Sequence, residues 1–126
     1  MMNNGVVVPS ENWKQVASWA ESQNDHVYIF ILRSLANQGV VTAHSINAFK
    51  GQVINNREFV KNANRDIGTI TGQVKLALGI SYNEKSEGRA DWYSWNTIRK
   101  EWTISGYQLE SLREAFDVTA NPSQVL

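Results

Sequence analysis

The chain has 126 residues, 42% of them apolar, with five tryptophans, no cysteine and a formal net charge of zero. That is about one domain's worth of polypeptide, able to bury a single core without metals or disulfides and too apolar for a disordered segment. Lack of cysteine excludes a disulfide framework and a thiolate zinc site, and no apolar run approaches the ~20 residues needed to span a bilayer.

The opening "MMNNGVVVPS" lacks a basic region followed by a long apolar core, so it does not read as a signal peptide and a cytoplasmic location is expected. Ser10 after Pro9 suits an N-cap, Glu11 suits a first turn, and Trp13, Val16, Ala17 and Ala20 recur at helical spacing, which predicts a helix over Ser10 to Gln23. In "NDHVYIFILRSLANQG" six apolar residues stand in a row, a pattern shared by strands and buried helices. Its length, a cap at Asn24 or Asp25 and a stop at Gly39 predict a buried central helix. A short strand at "VVTA" or a turn of helix from Thr42 follows, and "FKGQVINN" reads as a connection.

"NREFVKNANR" predicts a helix with Phe59, Val60, Ala63 and Ile67 inward. Asp66 and Gly68 then suggest a tight turn, with Thr69 or Thr71 capping a next helix whose buried edge is Ile70, Val74, Ala77 and Leu78. "SYNEKSEGRA" reads as a polar loop. "DWYSWNTIRKEWTIS" alternates about a turn near Asn96 to Arg99 and predicts a two-stranded hairpin, with Trp92 and Trp102 in the core and Trp95 on the opposite face from Trp92. After Gly106, "YQLESLREAF" predicts a closing helix with Leu109, Leu112, Ala115 and Phe116 inward. The whole forms a single domain over residues 1–126, mainly α with a β-hairpin, with 1–9 and 119–126 as tails.

Charge is unevenly placed in this neutral chain. From Lys50 to Lys100 nine basic residues stand against five acidic ones, a balance of +4 that the flanks offset at −4. Such segregation can give a neutral protein one basic face.

The order of parts, with "NREFVKNANRDIG" as first helix and turn, "TITGQVKLALG" as second helix and "WYSWNTIRKEW" as hairpin, resembles a winged helix-turn-helix domain with extra N-terminal and C-terminal helices. The resemblance implies sequence-specific binding of double-stranded DNA by a small transcriptional regulator. It implies a recognition helix that presents Thr69 and Thr71 to phosphate, Gly72 to a close backbone approach, and Gln73 and Lys75 to base edges. Arg65 before the turn and Arg99 and Lys100 on the wing would hold the DNA backbone. A homodimer reading two half-sites, with the first or last helix at a C2 interface, goes with such a regulator.

The same parts admit a different use, a winged-helix-like interaction module, phage-encoded or defence-related, that binds a protein partner through the tryptophan-rich hairpin. Beside cations, Trp92, Trp95 and Trp102 could also stack bases of a single strand, although hairpin aromatics more often pack on the core. Enzymatic readings lack their residues. His26 and His44 are eighteen positions apart without matching carboxylates, and no Walker-type or G-x-G-x-x-G loop occurs. The expectation is a non-enzymatic protein without cofactor, metal or membrane anchor.

Overall fold

The computed structural model describes residues 7–51, 58–79 and 92–117. Along them run α1 (Ser10–Ser22), α2 (Val27–Gln38), β1 (Val40–Thr42), α3 (Ala43–Phe49), α4 (Phe59–Ala77), β2 (Ser94–Asn96), β3 (Glu101–Thr103) and α5 (Gly106–Ala115). The fold is mainly helical, with a small antiparallel sheet in the order β1-β3-β2.

Helix α2 is the centre of the core. Val27, Ile31, Leu32, Leu35 and Ala36 are fully buried, with Tyr28, Ile29 and Phe30 at the margin, because α1, α3, α4, α5 and β1 all pack on this helix. A segment surrounded on so many sides has an apolar residue at nearly every position, which is why its sequence shows a run instead of a stripe. The Asp25 carboxylate accepts the Val27 N–H at 3.1 Å at one end. At the other, Gly39 takes a left-handed φ of 74° and donates its N–H to the Leu35 carbonyl at 2.7 Å. That glycine is also close-packed: a Cβ there would lie 3.4 Å from the Ile104 carbonyl oxygen.

Helix α1 buries Trp13, Val16, Ala17 and Ala20, as the spacing predicts, but Ser10 is its first helical residue and no side chain caps it. The expected N-terminal tail is shorter than residues 1–9. Val8 is buried, its N–H donates to Gln108 Oε1 at 2.8 Å, and its carbonyl accepts from the Ser111 hydroxyl, so residues next to α1 are docked on α5. Residues 1–6 and the expected tail at 119–126 lie outside the described residues, as does the loop "SYNEKSEGRA". The region from Val40 resolves into both alternatives, a strand and then a helix. Thr42 caps α3, its hydroxyl accepting the Ser45 N–H at 3.0 Å while the Ser45 hydroxyl donates back to the Thr42 carbonyl at 2.9 Å.

The helix–turn–helix expected within residues 56–79 is not there. Phe59–Ala77 is one continuous helix of 19 residues, and Gly68 sits in its middle on the exposed side. Three facts override the local stop signal. Asp66 faces inward to an ion pair instead of capping a turn, Ile67, Ile70 and Val74 bury one unbroken stripe, and a helical glycine costs only ~1 kcal/mol relative to alanine. Burying each of those aliphatic side chains is worth ~1.5–3 kcal/mol, so continuity wins.

The hairpin also gains a strand. β3 pairs with β2 on one side and β1 on the other, with Val41 opposite Trp102 and Trp95 opposite Trp102. Trp92 and Trp102 are buried, as expected of core residues. In α5 Leu112 is buried, while Leu109, Ala115 and Phe116 pack partly against the core. Helices α1 and α5 pack on each other, so the apolar faces expected to supply a C2 interface are largely used internally.

Leu35→Ala should cost about 2–5 kcal/mol of stability by chemical denaturation, as other fully buried leucines do. Gly68→Ala separates one helix from two. With helical φ and no atom within 4 Å of the added Cβ, it should stabilise the protein by roughly 0.5–1 kcal/mol, whereas a left-handed turn glycine would make the same change destabilising.

Candidate functional site

Two largely shielded polar contacts, one at the start of α4 and one nearer its middle, fasten it to α3. The Asn47 side chain donates its amide hydrogens to the Ala43 carbonyl and the Phe59 carbonyl, both at 2.8 Å, and Lys50 Nζ meets Asp66 Oδ2 at 2.9 Å. His44 covers the junction, its ring 4.5 Å from that of Phe59. With one side of α4 so held, the opposite side presents Lys61, Asn64, Arg65 and Gly68, which are exposed and spaced i, i+3, i+4 and i+7. No acid lies on this stripe. Glu58 flanks it with a loose 3.7 Å pairing to Lys61.

The hairpin stands beside this stripe and is anchored through Trp92. Its indole N–H donates to the Thr71 hydroxyl at 3.0 Å, that hydroxyl donates to the Ile67 carbonyl at 3.0 Å, and the ring meets Trp13 edge-to-face at 5.5 Å. At the far end Asn96 Oδ1 accepts the N–H groups of Ile98 and Arg99 at 3.0 and 2.9 Å, which closes the turn. Lys100 follows with φ of 55°. Its ammonium folds back on the Thr97 carbonyl at 2.7 Å, and its own carbonyl accepts the first N–H of α3, that of Ala43, at 2.9 Å. The turn is thus tied to the helix pair as well as to its own strands.

Between α4 and the hairpin lies a groove of about 660 Å³ lined by Val60, Lys61, Asn64, Tyr93, Trp95 and Trp102. Trp102 is its floor, 1% exposed, and Trp95 is its outer wall, 39% exposed. The two indoles are a cross-strand pair with centroids 4.7 Å apart, tilted by 46°. Direct pairing puts them on one face of the sheet. The alternation that sets Trp95 against Trp92 does not apply, because Trp92 precedes the strand.

The residues singled out in the sequence divide on this framework. Arg65 is exposed on the stripe, and Arg99 and Lys100 share the turn of the hairpin, Arg99 exposed and Lys100 half-buried. Thr69 and Thr71 are not at a helix N-terminus. Both are mid-helix, and the Thr69 hydroxyl donates to the Arg65 carbonyl at 3.1 Å while that of Thr71 serves Trp92. Gly72 is buried and offers no close backbone approach, and Gln73 and Lys75 are half-buried on the last turns. Lys61 and Asn64, which the sequence reading does not single out, stand on the same exposed stripe. Their signal was present in the sequence: both are the polar complement of the Phe59, Val60, Ala63 and Ile67 edge, hidden only by the assumption that recognition began after Gly68.

A second groove, lined by residues that include His26, Phe30, Arg33 and Phe49, opens on the outer side of α2, where the Phe30 and Phe49 rings stack at 4.4 Å. Among the described residues no group of three or more His, Asp or Glu is placed to hold a metal ion, and no helix is long and apolar enough to cross a membrane. No protein-family model, curated protein or solved structure matches the chain.

Thr71→Val tests the anchoring role of that threonine. It leaves the Trp92 N–H without its acceptor and should cost about 1–3 kcal/mol of stability. A thermal melt unchanged by the substitution would return Thr71 to the list of surface contacts.

Proposed function

We propose that this protein binds double-stranded DNA as a winged helix-turn-helix, with α3 and α4 as the helix pair, α4 as recognition helix and the β2–β3 hairpin as wing. What carries the reading is the acid-free stripe Lys61, Asn64, Arg65 and Gly68, held outward by the α3–α4 contacts and flanked by a hairpin that bears Arg99 and Lys100. The spacing of the stripe suits a helix lying in a major groove, which admits one helix and offers base edges to two or three of its side chains. Asn64 is the base reader, since an amide can donate to and accept from adenine. Lys61, Arg65 and Arg99 neutralise phosphate, and Gly68 lets the helix lie close. The net charge of zero is compatible with this, because the field at a binding face depends on local arrangement. Regulation of transcription is the role that the resemblance implies for such a binder.

One observation favours the alternative of a protein partner: Ile98 stands 87% exposed at the tip of the hairpin. The two readings part on salt and sequence. As a duplex binder, the parent should lose affinity steeply with salt, and Arg65→Ala and Arg99→Ala should each lower the slope of log affinity against log salt by about 0.9 on every sequence alike. Asn64→Ala should instead relax preference at one base position by about 1–3 kcal/mol. Titration of a random duplex pool across a salt series, with selection of enriched sites, measures both. A parent that binds no duplex at low salt would end this reading.

A further inference from the structure

Resting on the nucleic-acid reading but going beyond its duplex, we propose that the groove between α4 and the hairpin binds an unstacked nucleobase of a single strand, with Trp95 as stacking surface, Asn64 as base-edge contact and Lys61 on the adjoining phosphate. Four observations converge on it. The groove, at about 660 Å³, is of a size that small ligands fill. Its wall is an indole held at 39% exposure although it is paired directly with a tryptophan that is 1% exposed. The two rings lie 4.7 Å apart, tilted by 46° and not stacked flat, so Trp102 supports Trp95 from within the sheet. Among the described residues, the groove lining joins an aromatic wall to one cation and one amide and includes no carboxylate.

A base within a duplex shows its edges to the grooves and hides its faces against its neighbours. An indole wall can therefore stack only on a base that has left the stack, at a single-stranded segment, a frayed end or a flipped position. A protein partner would more often meet such a wall with apolar side chains, for which the Lys61 and Asn64 side of the groove has no complement. Indole stacking tolerates any base, so the preference is for single-strandedness over sequence. DNA and RNA strands share this chemistry.

The test uses the full chain at low salt with a single strand of about twelve nucleotides, in thymidine and uridine forms, and with a duplex of the same length. Binding is read by anisotropy and by quenching of tryptophan fluorescence. Both single strands should bind and quench, and Trp95→Leu should weaken single-strand binding about tenfold or more while changing duplex affinity less than about threefold. Trp95→Tyr, which keeps a ring, should restore most of the loss. If Trp95→Leu does not fold by circular dichroism, Trp95→Thr, a strand-former without a ring, takes its place. Duplex binding with no single-strand binding, or single-strand binding indifferent to the Trp95 ring, overturns this inference and leaves the duplex reading standing. Single-strand binding that depends on the ring, without duplex binding, supports the inference and ends the duplex reading. Absence of both ends both.

Discussion

The outward face of α4 depends on what its inward face does with one acid. Asp66 is the only carboxylate between Glu58 and Gly79, and it is turned into the protein, where Lys50 at the end of α3 holds it at 2.9 Å. An acid placed outward on this helix would stand beside Lys61 and Arg65 and cancel part of their field. Turned inward it does two things at once: it removes the negative charge from the surface and fixes the angle between two helices. Such a contact is costly to break from one side, since the remaining charge would be left with little solvent to screen it. Asn47 adds the uncharged half of the junction, linking the carbonyl of one helix start to that of the next.

The hairpin is positioned by similar economy of contacts. Trp92 fixes its root through a hydroxyl of α4 and a ring of α1, and the Lys100 carbonyl fixes its turn to the first N–H of α3. A short two-stranded hairpin is marginal in water on its own. Here its third strand, β1, follows α2 directly, so the sheet is continuous with the most buried helix of the protein. An aromatic hairpin face and the polar side of α4 are thereby held at a separation that leaves a groove, which requires stiffness on both sides.

Much of this was legible in the sequence where the controlling interaction is local. The α2 helix, its stop at Gly39, the hairpin turn and the inward tryptophans all follow from periodicity and turn chemistry between near neighbours. The split assigned to α4 did not survive, because the partner of Asp66 is sixteen positions earlier and no local pattern reveals a buried ion pair. Taken alone, Asp66 and Gly68 look like punctuation. The consequence ran into the candidate site: with the helix boundary misplaced, Thr69, Thr71 and Gly72 stood in for a helix start, and Lys61 and Asn64 were overlooked. The placement of Arg65 on the helix surface and of Arg99 and Lys100 in the hairpin turn did not depend on that boundary.

The pairing of β1 with β3 joins Val40 to Thr103, residues far apart in the chain. During synthesis α2, β1, α3 and α4 emerge well before the strand that completes the sheet, so β1 waits with its backbone donors and acceptors open to solvent or to another chain. Closing a loop of that length is slow relative to forming helices, and it comes after much of the helical core can already assemble. A nascent chain interrupted before Glu101 would therefore hold its central helices yet carry an open strand edge, and strand edges of that kind recruit one another. The brevity of β1, three residues, limits how much edge is offered while the chain is incomplete.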